Sequence, residues 1–340
     1  MSTIVLVTGI SGFLGGHVAL HLLKSGYQVR GSIRNLERSG HVRATLANQG
    51  ADTSKLEIVA LDLTRDDGWD DAMSGARYLV HTASPFVTTM PKDKMDLINP
   101  AVEGTTRAIN AALKANVERV VLTSSVAAVM SGHGENRPQI FSSEHWTKYE
   151  NGEVNAYTES KTRAEKRAWE LMDKANRHDD LAVINPGFIL GPLLDEDPGT
   201  SGALIQRFFT GAVPAAPDFE LHIVDVRDLA ILHERALTAS QAAGNRLIAV
   251  NGNLTIFEIG RAIANGFPAY KSKMPRFRMP NWMVKIYAVF DTDVRGNLSE
   301  LSVRNALDAN IATDIFDAEM ISAKDATIAM AQSLIDQKLV

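Results

Sequence analysis

The chain contains no cysteine, which excludes disulfides, thiolate nucleophiles and thiolate metal ligation together. It also lacks any apolar run approaching the roughly 18 residues that cross a bilayer as a helix. Nor is one sign of charge in large excess. The 35 basic and 40 acidic residues leave a net charge of −5, and the signs are interspersed, which argues against a nucleic-acid partner. The first apolar run, Ile4–Val7, is too short for a signal peptide and leads straight into a glycine turn. These absences predict a cytoplasmic protein with neither a membrane nor a nucleic-acid partner. Its 340 residues, 45% of them hydrophobic, suffice for two lobes.

In the first half of the chain, strand and helix patterns alternate. Short β-branched runs at 3–8, 27–33, 56–61, 78–81, 119–123 and 181–185 read as buried strands. Helical patterns fall near 13–25, 38–49, 67–74, 95–116 and 155–177. The alternation predicts an α/β fold, a doubly wound parallel sheet of the Rossmann type. Beyond Gly187 the rhythm breaks, with Pro or Gly at 192, 198, 199, 202, 211, 214 and 217. We therefore expect a dinucleotide-binding domain over 1–190, with return segments near 220–250 in which 222–237 reads as helix and 246–250 as strand. A smaller, mostly helical lobe is expected from 191–219 and 251–340.

Between the first strand and the first helix stands Gly9-Ile10-Ser11-Gly12-Phe13-Leu14-Gly15, a G-x-x-G-x-x-G loop. In this position Gly9 permits a tight turn, Gly12 lets the backbone approach a pyrophosphate, and Gly15 allows close helix packing. The helix N-terminus then offers free N–H groups to the anion. The second strand ends in Ser32-Ile33-Arg34-Asn35, without the carboxylate that takes a ribose 2′-hydroxyl in NAD sites. Arg34, helped by Arg38, is a candidate for a 2′-phosphate, so NADP(H) is the expected cofactor. Asp62 and Leu63, after the third strand, are candidates to hold the adenine; Asp62 could equally cap the next turn.

Downstream lies Tyr157-Thr158-Glu159-Ser160-Lys161. A Tyr and a Lys four residues apart share a helix face, and a nearby ammonium favours the phenolate. Such pairs arise by chance in roughly one chain of this composition in four, so the surroundings decide. Tyr157, Lys161, Ala164, Ala168, Leu171 and Ala175 form one stripe, with Glu159, Arg163, Lys166 and Glu170 mostly elsewhere. Upstream, Thr123-Ser124-Ser125 closes a strand where the hydroxyls of a parallel sheet meet its ligand crevice.

Val7-Thr8-Gly9-x-x-Gly12-Phe13-Leu14-Gly15, Thr123-Ser124-Ser125, Tyr157-x-x-x-Lys161 and Asn185-Pro186-Gly187 occur in that order. Together they resemble the extended short-chain dehydrogenase/reductases. Val29–Arg34 and Leu79-Val80-His81-Thr82-Ala83-Ser84-Pro85 are similar to the dihydroflavonol reductase-like branch, which includes cinnamoyl-CoA reductases and microbial aldehyde and ketone reductases. The resemblance covers about residues 3–250. It implies that Ser125 polarises a substrate carbonyl, that Tyr157 donates the proton, and that Lys161 holds the nicotinamide ribose and tunes the tyrosine. Thr82, Ala83, Ser84 and Thr123 would pass beside the cofactor, and Pro186, Gly187 and Ile189 would contact its nicotinamide end. Asn99 matches an Asn-x-x-x-x-Gly-Thr pattern of the family, and a helix cap explains it equally well. The plant signature Asn-Trp-Tyr-Cys-Tyr is absent around Tyr157.

The expected substrate is a ketone or aldehyde of moderate size, bound against Phe86, Val87, Met130, Phe188 and the 204–208 helix, with Ser125 and Tyr157 at the reacting carbon. No metal is expected: His17 and His21 are four apart but lack a third ligand in register. His133 and His145 could reach substrate, although loop histidines are more often solvated. Asp195-Glu196-Asp197 reads as an acidic turn, and the charges of 225–228 as interface contacts. Two alternatives share the motifs. One is an NAD-dependent nucleotide-sugar epimerase or dehydratase, and the other a non-catalytic NAD(P)-sensing protein. Monomer and homodimer are both compatible with the sequence.

Overall fold

The structure, a computed structural model, describes residues 3–85, 93–150, 154–290 and 292–340. Phe86 and Val87 therefore lie outside the described residues. The first half runs β1 (Ile4–Thr8), α1 (Phe13–Lys24), β2 (Gln28–Ile33), α2 (Ser39–Asn48), β3 (Leu56–Ala60), α3 (Trp69–Met73), β4 (Tyr78–His81), α4 (Met95–Lys114) and β5 (Arg119–Thr123). A two-residue β6 (Ile140–Phe141) precedes α5 (Ala156–Lys174), β7 (Leu181–Pro186) and β8 (Phe188–Leu190). Then come α6 (Gly199–Phe209), β9 (Ala215–Ala216), β10 (Glu220–Asp225), α7 (Val226–Ala236), β11 (Asn245–Ala249), β12 (Asn253–Thr255) and α8 (Ile256–Gly266). The remainder is β13 (Phe277–Arg278), α9 (Asn281–Tyr287), α10 (Thr292–Gly296), β14 (Ala306–Leu307), α11 (Asn310–Phe316) and α12 (Ala323–Asp336).

Seven strands form one sheet in the order β11-β7-β5-β4-β1-β2-β3, and every pairing in it is parallel. Successive side chains of a strand point to opposite faces, and the core divides accordingly. Val5, Val7, Val29, Val80 and Ile184 pack with α1, α7 and α11 on one face. Leu6, Leu79, Val120, Leu122 and Val183 pack with α3, α4 and α5 on the other. With both faces covered, the strands can be continuously apolar, as the sequence predicted. The order reverses direction between β1 and β4, so the carboxyl ends of these strands open the crevice in which such sheets bind ligands.

A second core gathers Leu190, Ile205, Phe208, Ile223, Ile259, Ile263, Met330 and Leu334 around the three-stranded sheet β12-β10-β8. Here one expectation is corrected. Residues 222–225 are not the start of a helix but the end of β10, which pairs with β8 rather than entering the large sheet. The cause is local: Asp225 accepts the backbone N–H of Arg227 at 2.8 Å, capping α7, so the helix begins only at Val226. Asn99 also departs from one reading, because it lies exposed inside α4 rather than at its cap.

Candidate active site

The glycine loop is shaped by contacts that no side chain could survive. Gly9 has φ +76°, and a Cβ there would sit 3.1 Å from Ala83. A Cβ on Gly15 would stand 2.2 Å from the carbonyl oxygen of Gly9, a backbone atom that cannot give way. Gly9 and Ile10 donate to the Ser32 carbonyl at 3.0 and 3.1 Å, anchoring the turn on β2. Gly12 is the N-cap of α1 and supplies no side-chain acceptor. The first N–H groups of the helix are thereby left for an anion, which is the fit a pyrophosphate requires.

Arg34 stands exposed just past β2. Its charged neighbour is Asp62, whose carboxyl is held below the usual range by the Thr64 backbone N–H and hydroxyl first, with Arg34 and Arg65 adding to the effect. Oδ1 of Asp62 accepts both Thr64 groups, at 2.8 and 2.7 Å, so one oxygen is committed to capping the turn. Leu63 packs against Gly104 of α4.

From the glycine loop the site continues across the sheet edge. The Thr8 hydroxyl accepts the N–H of Ala83 at 3.1 Å and shares a hydrogen bond of 2.8 Å with Nδ1 of His81, while Thr82 donates to the Thr8 carbonyl. One cavity is lined by Ala83, Ser84, Thr123, Ser124 and Lys161. Burial first, and the Lys161 ammonium second, push the His81 imidazole down to about 3. Neutral His233, lowered to about 4 by burial, donates from Nδ1 to the Leu229 carbonyl and so accepts the Thr123 hydroxyl at Nε2, 2.8 Å away.

Ser125 is 8% exposed, with extended backbone. Its Oγ accepts the Ala127 N–H at 3.1 Å, which leaves its own proton unspent. The short turn that follows, Val126–Ala128, packs on α5. Asn155 starts α5 by accepting the Thr158 N–H at 2.9 Å, which puts Tyr157 on the first turn, 41% exposed. The Lys161 Nζ lies 5.9 Å from the Tyr157 ring centroid.

The remaining expected residues have the following surroundings. Met130 packs with Val126, Val129 and Phe141, and its sulfur meets Nδ2 of Asn305 at 3.8 Å. Phe188 is partly buried against the second core, where Ile205 and Phe208 are fully buried. Glu159, read as lying off the buried stripe, is 2% exposed and pairs with Lys94 at 2.9 Å and Arg163 at 2.5 Å. The reason is that α5 is covered twice, by the sheet and by α4. His133 is buried against Phe141, and His17 donates to the Pro192 carbonyl at 2.9 Å. The turn containing Asp195 and Asp197 borders the glycine loop, with Asp195 3.1 Å from His41. Among the described residues no group of three or more His, Cys, Asp or Glu could hold a metal, and no helix is long and apolar enough to cross a membrane.

The sequence reading missed Glu165, which is 1% exposed. It takes the Ser124 hydroxyl at 2.5 Å and the Asn185 amide at 2.8 Å, and pairs with Arg246. A signal existed: Glu165 repeats the four-residue spacing from Tyr157 and Lys161 on the buried stripe.

A glycine loop feeding an uncapped helix at the carboxyl edge of a parallel sheet defines the dinucleotide-binding Rossmann class. The chain belongs to the NAD dependent epimerase/dehydratase family, whose model matches residues 5–250. It is 34% identical over 296 residues to a putative uncharacterized oxidoreductase of Saccharomyces cerevisiae, covering 81% of this chain and 85% of the relative. It is 33% identical to cinnamoyl-CoA reductase 1 of Petunia hybrida, covering 78% of each. The crystal structure of yeast methylglyoxal/isovaleraldehyde reductase Gre2 complexed with NADPH superposes with a TM-score of 0.80 at 26% identity, over 99% of this chain and 100% of that one.

Proposed function

We propose that the chain is an NADPH-dependent reductase of ketones and aldehydes. The observation that carries the reading is the joining of the glycine loop to the Tyr-Lys helix: Gly9 abuts Ala83, and Ala83 lines the same cavity as Lys161, Thr123 and Ser124. The relatives support it, being named oxidoreductase and cinnamoyl-CoA reductase, with Gre2 solved as an NADPH complex. Gly9, Gly12, Gly15 and the α1 N-terminus would hold the pyrophosphate, and Arg34 the 2′-phosphate.

Bound NADPH supplies the hydride. The chain's own residues do the rest. Ser125, its Oγ already fixed by the Ala127 N–H, directs its free proton at the substrate carbonyl oxygen. Tyr157 delivers a proton to that same oxygen as general acid. Lys161 grips the nicotinamide ribose and stands over the Tyr157 ring. Thr123 is locked by His233, so it shapes the cavity wall without competing for the carbonyl.

The test is an NADPH-oxidation screen across aryl ketones, aldehydes, diketones and dihydroflavonols, run with NADH in parallel. Turnover with NADPH on one of these classes is expected. Purified protein that carries stoichiometric NAD and is inert toward every carbonyl would replace this reading with the epimerase one.

A further inference from the structure

The groups assigned to the substrate are held by a buried carboxylate, Glu165, that lines the same cavity as Lys161 and Ser124. Tyr157, Lys161 and Glu165 are successive i, i+4 positions on α5 and share a face. Oε2 of Glu165 accepts the Ser124 hydroxyl at 2.5 Å and the Asn185 amide at 2.8 Å. The same Asn185 amide nitrogen donates to the Ser125 carbonyl at 3.1 Å. Both residues of the serine pair are thus tied, directly or through one side chain, to a single oxygen on the catalytic helix.

The other oxygen, Oε1, takes Nε of Arg246 at 2.5 Å. That guanidinium is 6% exposed and reaches three further carbonyls: Ser143 at 2.8 Å, His145 at 2.5 Å and Ala128 at 3.3 Å. It also lies 3.7 Å from the Trp146 ring centroid. Ala128 ends the short turn that begins after Ser125, so the turn is clasped at both ends by one ion pair. A buried pair of this kind adds little net stability over well-packed apolar side chains of the same volume. Stability is therefore a weak reason for its presence; what its oxygens hold is a stronger one.

We propose that Glu165, backed by Arg246, is a positioning residue: it fixes the Ser124–Ser125 turn and Asn185 relative to Tyr157 and Lys161, and so sets where the Ser125 hydroxyl points. The proposal rests on the reductase reading for its consequence in turnover, but not for its consequence in local structure. Misplacing a reacting group by about 1 Å can cost a factor of about 100 in rate.

The experiment pairs Glu165→Leu with Arg246→Met, removing both charges so that neither is left buried alone. The expected protein folds with a lowered melting temperature, because the Ser143, His145 and Ala128 carbonyls lose their Arg246 donor, and its kcat falls by about tenfold or more while KM for NADPH stays within about twofold. The Ala127 amide, which bonds Ser125 Oγ directly, should exchange hydrogen faster than in the parent. A folded double variant with parental kcat and parental Ala127 protection overturns the proposal. Should the double variant not fold, Ser124→Ala removes one clasp with little change in volume. Faster Ala127 exchange and lower kcat are expected there as well, and no change in either is equally fatal. If the parent shows no NADPH-dependent turnover at all, the reductase reading fails while Ala127 exchange still decides whether the brace exists.

Discussion

At the carboxyl edge of the large sheet Thr8, Thr123, Ser124 and Asn185 are each held by a partner from another element, whereas between Phe277 and Phe290 the chain buries Val284 and Ala288 but leaves most of its large apolar side chains in water. Of ten large hydrophobic side chains exposed among the described residues, seven fall in that short segment, including Trp282 at 64% and Phe290 at 83%. Residues 259–290 also carry six Lys or Arg and no Asp or Glu. The segment is not remote from the chemistry: Asn297, just beyond it, meets the Asn155 cap of α5 at 3.3 Å. The contrast separates two tasks. Proton and hydride transfer need atoms fixed to fractions of an ångström, and the edge supplies closely fitted glycines and locked hydroxyls. The loosely packed apolar side chains of the 277–290 segment are under no such demand.

The contrast breaks first at Tyr157, should the edge not hold the chemistry. Tyr157→Phe removes the proposed proton donor and is expected to lower kcat by about 100- to 10,000-fold, with NADPH binding unchanged by fluorescence titration; parental turnover would remove Tyr157 from the mechanism. Next in size is acid. Burial keeps His81 neutral to about 3 and His17, His222 and His233 to about 4. The unfolded chain takes up these protons below about 6.5. Stability is thus fully present above that pH and is lost as pH falls toward 4, by up to about 1.4 kcal/mol per pH unit for each histidine. Urea unfolding at pH 7, 6 and 5 reads the slope, and His233→Gln should flatten it.

A smaller effect is expected at Arg34. Its alanine variant should raise KM for NADPH by roughly tenfold, the size of one charge-assisted contact, while NADH is little changed. Equal losses with the two cofactors would remove the 2′-phosphate assignment. Smallest of all is Phe290→Ser in the exposed 277–290 segment, where stability should change by no more than about 0.5 kcal/mol. A large loss there would mean that the segment is packed after all, and the contrast with the edge would vanish.

What could be read in advance follows the same division. Gly9 and Gly15 announce themselves by spacing because a positive φ at the one and backbone contact at the other exclude a side chain, and apolar runs alternating with helices mark strands whose two faces are both buried. The Tyr157–Lys161 pair is visible for the same reason, being local. Glu165 and Arg246 are 81 residues apart, and no periodicity links a carboxylate on a helix to a guanidinium on β11. Glu159 is buried because α4 and the sheet cover α5 from two sides, which a single apolar stripe does not express. The start of α7 depended on whether Asp225 acts as a cap, which the run 222–237 does not declare.

Gly187 has a consequence for anyone wishing to change what this protein accepts. It is the one residue between β7, in the large sheet, and β8, in the small one, and a side chain there would meet the His222 carbonyl at 2.3 Å. The two sheets are stitched by three crossings of the chain: at Gly187, from β10 through α7 to β11, and from β11 to β12. No cut lifts the outer lobe away as an exchangeable cassette. New specificity has to be sought by altering side chains in place, leaving that seam whole.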